Sequence, residues 1–173
     1  MSLPYLEKEC LILGCGNPLL GDDGFGPEVI KQLETHYRLP DFAFALDVGT
    51  AIRDILFDML LAADRPRQLI VVDAMDLGEA QPGAIREIRI DQMQAAKIVD
   101  YSLHQFPTTN MLQELTEGTA IDVRLLVAQV AQLPDVVQPG LSLPIRRAVD
   151  RMCAKIIGLV SGKAIRAAGG GYV

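Results

Sequence analysis

Residues 11–30 read LILGCGNPLLGDDGFGPEVI, and they decide how the rest of the chain is interpreted. An apolar run passes through Gly14-Cys15-Gly16 into a helix-like segment, as at the first turn of a dinucleotide-binding fold. That fingerprint requires a third glycine at position 19, where the chain has Leu19. Two adjacent carboxylates, Asp22 and Asp23, would also repel a phosphate. The stretch therefore predicts a strand, a glycine-rich turn and a helix, with acids in the turn in place of a bound nucleotide.

Short apolar runs alternate with segments of helical periodicity along the rest of the chain. Predicted strands cover residues 11–13, 42–46, 69–72, 84–90 and 123–130. Predicted helices cover residues 27–37, 52–61, 109–115 and 143–160. The fourth strand mixes apolar and polar residues and alternates between them over residues 87–90, which indicates a half-buried position at a sheet edge.

This order of elements predicts an α/β protein. We expect a three-layer α/β/α sandwich, in which a twisted, mostly parallel sheet of about five strands carries helices on both faces. Ser142 in the N-cap position and Pro144 in the first turn mark the start of the last helix. A single domain is predicted over residues 1–160, followed by a flexible tail over residues 161–173.

Composition excludes several classes of partner. The chain has 173 residues, half of them hydrophobic, which is enough for one sizeable core. Its net charge of −6, with no basic stripe, argues against nucleic acid. No apolar run approaches the roughly 18 residues of a membrane span, and the first residues lack a signal-peptide pattern. Three cysteines without a paired spacing do not suggest a disulfide framework. These features predict a cytoplasmic protein.

Acids follow the ends of three predicted strands. Asp22 and Asp23 come after the first strand, Asp47 ends the second and Asp73 ends the third. The carboxyl ends of parallel strands meet at one edge, where ligands of such sheets bind. An aspartate at a strand end also commonly caps the next helix. Several at one edge, however, favour a shared cation or proton, because neighbouring carboxylates repel one another.

Histidine chemistry has few candidates, because the chain contains two histidines. His36 lies at a predicted helix end, whereas His104 lies in a loop just before a helix. Together with Asp23 and Asp73, His104 would complete a site for a borderline divalent ion such as nickel or zinc. No serine elbow is present. Cys15 could pair with His104, although a small buried side chain is the simpler interpretation.

Five segments resemble the hydrogenase maturation proteases, the endopeptidases that process the large subunit of nickel-iron hydrogenases. They are GCGNPLLGDDGFG (14–26), LDVGT (46–50), VVDAMD (71–76), PGAI (82–85) and SLHQ (102–105). The segments follow the order and spacing of the family. The GDDGFGPEV variant is most similar to the branch serving archaeal hydrogenases that reduce coenzyme F-420.

The resemblance implies an α/β/α sandwich and assigns roles to individual residues. The family's nickel-contacting residues correspond to Asp23, Asp73 and His104, the same residues that would serve catalysis. Asp22, Asp47, Gly49 and Thr50 would support the site or bind substrate. The family pattern Asp-Gly-Gly-Thr begins here at Asp47 with a valine in its second position, and Asp23 replaces the more frequent glutamate.

By the same resemblance, the metal belongs to the substrate. Nickel would be carried by the large-subunit precursor, which is cut near its C-terminus after nickel is installed, and no organic cofactor is implied. The peptide bond could be attacked by metal-activated water or by water activated by Asp23 or Asp73 as a general base. The alternative function is a non-catalytic nickel-binding checkpoint or chaperone for hydrogenase assembly.

Overall fold

A computed structural model describes the backbone of residues 4–78, 80–90 and 106–168, and their side chains apart from those of 106–109 and 163–168. The strands are β1 (Cys10–Cys15), β2 (Ala43–Gly49), β3 (Gln68–Met75), β4 (Ile85–Arg89) and β5 (Asp122–Gln129). The helices are α1 (Phe25–His36), α2 (Ile52–Leu61), α3 (Phe106–Gly118) and α4 (Leu143–Ala168). A 3-10 turn, Gly21–Gly24, precedes α1.

The strands form one five-stranded sheet in the order β2-β1-β3-β5-β4. All neighbouring pairs are parallel except β4 and β5, which are antiparallel. The alternating segment therefore forms an edge strand, as predicted. All eight residues of β3 are buried, which is typical of a central parallel strand covered on both faces.

Helices cover both faces of this sheet. On one face, α1 and α4 bury apolar side chains such as Ile30 and Met152. On the other face, α2 and α3 do the same with Leu56 and Leu115. The two clusters draw on alternate residues of the same strands, because successive side chains of a strand point to opposite faces. The predicted α/β/α sandwich is confirmed.

The last helix is longer than predicted. Helix α4 continues to Ala168, so the predicted helix end at residue 160 was eight residues too early. The domain boundary at residue 160 and the flexibility of the segment after it stay predictions. Gly162 costs a running helix only about 1 kcal/mol relative to alanine, and good helix formers follow it. Residues 169–173 lie outside the described residues. Within the described parts of the chain, no helix is both long and apolar enough to cross a membrane.

Candidate functional site at the carboxyl edge of the sheet

The carboxyl ends of β2, β1 and β3 lie side by side, and aspartates accompany all three. In the register of the sheet, Gly14 pairs with Asp47 on one side and with Val72 on the other. Asp73 follows one residue further along β3. Asp23 lies in the turn that β1 leads into. The sheet register thus brings the predicted acids to one edge.

Cys15, at the end of β1, lies within electrostatic reach of all three of these carboxylates. The thiol is buried, with 4% of its residue surface exposed. Burial raises the pKa of the Cys15 thiol well above its usual range, and the charges of Asp73, Asp47 and Asp23 raise it further. The charges of the three acids therefore all act on one uncharged side chain. Because the thiolate is the reactive form, Cys15 is a poor nucleophile.

Replacing Cys15 with alanine is expected to leave peptidase activity within about threefold of wild type, because the protonated thiol contributes packing and no nucleophile. The rate of substrate processing, measured at a temperature where both proteins are folded, checks this expectation. A folded but inactive C15A variant would show that the thiol takes part in the chemistry.

Asp23 is half-buried and held by its own turn. Its Oδ2 accepts the backbone N–H of Asn17 at 2.8 Å. Burial raises the pKa of the Asp23 carboxyl, and the hydrogen bond from Asn17 lowers it by a smaller amount. A partly desolvated carboxylate is stabilised by a nearby cation, so the environment of Asp23 suits a metal ligand or a general base.

Gly16 and Gly26 position Asp23, because the absence of a side chain lets neighbouring backbone segments approach closely. A Cβ added at Gly16, whose φ is +128°, would lie 1.8 Å from the carbonyl oxygen of Asp23. A Cβ at Gly26 would lie 2.2 Å from the carbonyl oxygen of Cys15 and 2.7 Å from that of Val72. The turn and the start of α1 therefore rest directly on the strand backbones. These glycines hold an acid against the sheet, which explains their presence without a phosphate.

Asp73 points to the sheet face that α2 and α3 cover. Its strand neighbours at alternate positions, Val71 and Met75, belong to the apolar cluster on that face. The Asp73 side chain is 6% exposed, and its Oδ1 accepts the backbone N–H of Ala74 at 2.8 Å. Burial and this hydrogen bond hold the Asp73 carboxylate in one orientation.

Asp47, Gly49 and Thr50 form the bend at the end of β2. Asp47 is exposed and accepts the N–H of Gly49 at 2.9 Å, while the carbonyl of Gly49 accepts the N–H of Gly16 at 2.9 Å. Gly49 has a φ of +51° and Val48 is buried in the core, so this bend needs one glycine where the family pattern has two. Thr50 is exposed beside it. A supporting role fits Asp47, and contact with substrate remains a prediction for these residues.

Asp22 has a different environment from that of Asp23, the next residue in the chain. It is 1% exposed, and its carboxylate accepts the backbone N–H groups of Ala131 at 2.9 Å and of Ser142 at 2.7 Å. The Ser142 hydroxyl also donates to it at 2.9 Å. Asp22 therefore stabilises the start of α4 and the loop before it, which is a supporting role. Sequence reasoning placed Ser142 at the helix start but missed this contact, because no local pattern links residues 120 positions apart.

His104 lies outside the described residues, so its proximity to Asp23 and Asp73 remains a prediction. Within residues 4–78, 80–90 and 106–168, no three His, Cys, Asp or Glu side chains are grouped as ligands for one ion. The described part of the site is thus an acidic edge in which Asp23 and Asp73 are the candidate ligands.

Known proteins are similar to this chain in sequence and in fold. The family model for hydrogenase maturation proteases matches residues 27–159. A Methanocaldococcus jannaschii protein provisionally named as a hydrogenase maturation protease is 36% identical over 88% of this chain and 96% of its own. The delta subunit of coenzyme F420 hydrogenase from Methanothermobacter thermautotrophicus is 33% identical over 90% of this chain and 96% of its own.

A solved structure agrees with these matches. The hydrogenase maturating endopeptidase HybD from Escherichia coli has a TM-score of 0.71 with this chain at 25% identity, covering 90% of this chain and 93% of its own. The chain belongs to the hydrogenase maturation protease family. It is a hydrolase of peptide bonds that acts in the processing of a hydrogenase.

Proposed function

We propose that this protein removes a short C-terminal extension from the nickel-loaded large-subunit precursor of a nickel-iron hydrogenase. The nickel, carried by the precursor, is the recognition signal and is contacted by Asp23, Asp73 and His104. The observation that carries the proposal is the placement of Asp47, Asp73 and Asp23 at the carboxyl ends of three neighbouring strands. Carboxylates at one edge favour a cation between them, because like charges repel one another.

The direction of α3 supports the inclusion of His104. Residues 119–121 alone connect α3 to β5, so the carboxyl end of α3 lies near the amino end of that strand. The helix has 13 residues and spans about 20 Å, so its first turn points toward the edge that carries the acids. It also packs on the sheet face to which Asp73 points. His104 precedes this first turn by two residues.

Cleavage of the peptide bond can follow two routes, and both need a carboxylate next to the scissile bond. In one route the substrate's nickel polarises the carbonyl and activates water, and Asp23 acts as a ligand. In the other route Asp23 or Asp73 takes a proton from the attacking water. The raised pKa of Asp23 brings this carboxyl nearer to the operating range of a general base.

Similarity to the delta subunit of coenzyme F420 hydrogenase supports a hydrogenase of that class as the partner. The precursor would then be the large subunit of an enzyme that reduces the deazaflavin coenzyme. We place this reaction in the cytoplasm, where nickel insertion would precede cleavage.

The purified protein mixed with large-subunit precursor is expected to release a short C-terminal peptide from the nickel-loaded form and not from the nickel-free form. Mass spectrometry of the large subunit measures the loss. Cleavage of both forms would remove nickel from the recognition step. Nickel-dependent binding without cleavage would instead identify a checkpoint protein.

Variants of the proposed ligands sharpen this test. His104→Ala and Asp23→Asn should each slow nickel-dependent cleavage roughly 100-fold or more, because each removes a group acting at the reacting centre. His36→Ala, a change of the exposed histidine at the end of α1, is the matched control and should cleave normally. Full activity of H104A would exclude His104 from the mechanism.

A further inference from the structure

We infer that an apolar ridge beside the acidic edge docks the large-subunit precursor, an inference that rests on the proposed function. The ridge consists of Leu19, Leu133, Val136, Val137 and Leu143. These side chains are 50%, 50%, 67%, 69% and 56% exposed, respectively. They make up five of the eight large apolar residues that are exposed in the described parts of the chain. Scattered surface leucines are ordinary, but a concentration of this kind marks an interaction surface.

Two segments distant in sequence are hydrogen-bonded together to form the ridge. The N–H of Gln138 donates to the carbonyl of Leu19, and the N–H of Gly21 donates to the carbonyl of Gln138, both at 2.8 Å. The carboxylate of Asp22 adds its bonds to Ala131 and Ser142. A surface ordered before binding loses less conformational entropy when a partner docks.

The ridge borders the acidic edge. Its main segment, residues 133–143, follows the carboxyl end of β5, and Leu19 lies four residues before Asp23. A cleft of about 270 Å³ opens between the same two segments and is lined in part by Gly21, Gly140 and Leu141. Such a cleft can receive a side chain of a partner seated on the ridge.

The position of the ridge favours the precursor over a second copy of this chain. Because the ridge adjoins the Gly21–Gly24 turn that carries Asp23, a second copy bound there would compete with the substrate for this edge. The precursor, in contrast, must reach this edge for cleavage. Asp135, exposed on the same segment, favours a basic residue beside the apolar part of the partner face, and Arg146 at the cleft favours an acidic one.

The test uses the full chain and the nickel-loaded precursor, with Val136→Asp and Val137→Asp combined in one variant. Both side chains are largely exposed, so the thermal melt should match that of wild type. We expect the Kd for the precursor and the KM for cleavage to rise at least tenfold while kcat stays within twofold. Phe57→Asp, a change of another exposed apolar side chain, on α2, is the matched control and should bind and cleave as wild type.

Wild-type values for the V136D/V137D variant would overturn the inference, and so would an equal loss in F57D. Binding of the precursor by wild type without cleavage would contradict the proposed peptidase reaction alone, and the ridge would still be tested by the Kd. A wild-type dimer that the V136D/V137D variant converts to monomer, seen by sedimentation, would assign the ridge to a second copy.

Discussion

Asp22→Asn is expected to lower the free energy of unfolding by about 3 kcal/mol. The carboxylate is 1% exposed and accepts hydrogen bonds from two backbone N–H groups at 2.9 and 2.7 Å and from the Ser142 hydroxyl. The asparagine amide has nearly the same shape, but its buried NH2 group must face a donor, so that both this NH2 group and the donor lack an acceptor. Buried polar groups that lose their partner cost the full desolvation penalty.

For a chain of this size, that loss corresponds to a fall in Tm of roughly 6–12 °C. Differential scanning calorimetry gives both quantities. Asp135→Asn is the matched control, since Asp135 is exposed on the same loop and its change should stay within about 0.5 kcal/mol. Equal melting of the two variants would show that the Asp22 contacts do not stabilise the fold.

Gly26→Ala is expected to destabilise the protein by roughly 3 kcal/mol or more, the upper range for forcing atoms into a packed site. The new methyl group would lie 2.2 Å from the carbonyl oxygen of Cys15 and 2.7 Å from that of Val72. Both atoms belong to sheet backbone and cannot rotate away. Helix α1 would have to move outward, and Asp23, one turn earlier, would move with it.

Gly158→Ala is the matched control for this steric effect. Gly158 lies in α4, and nothing within 4 Å would meet its added Cβ. Alanine there should stabilise the helix by up to about 1 kcal/mol, in accord with helix propensity. Urea unfolding of the two variants measures the difference. A G26A variant as stable as wild type would mean that α1 does not rest on the strand backbone.

Most of the fold was predictable because its signals are local. The five strands and four helices were located from apolar runs and helical stripes, which arise from side-chain spacing of 2 and 3.6 residues. The predicted end of α4 was wrong, because Gly162 costs too little to end a helix of 26 residues. The exposed bend at Gly49 was harder to judge, since Val48 at a family glycine position suggested a different turn.

Part of the candidate site was also predictable. Placing Asp47, Asp73 and the Asp22-Asp23 pair at one edge required only the order of strands and the rule that ligands bind at their carboxyl ends. The glycines of the first turn could be recognised as a close backbone approach, because no other residue permits it. The resemblance then linked these acids with His104, which lies beyond the described residues.

The sequence by itself determined the class of fold, the edge of the sheet where the acids lie and the family. Tertiary structure alone decided how two adjacent aspartates divide their roles. Asp22 is buried against backbone 109 to 120 residues away, whereas Asp23 faces the acidic edge. Neighbouring carboxylates are chemically alike in the sequence, and their different environments arise from contacts between distant segments. Hydrogen bonds of Gln138 with Leu19 and Gly21 bring Leu19 beside residues 133–143, so the apolar ridge exists only in the folded chain.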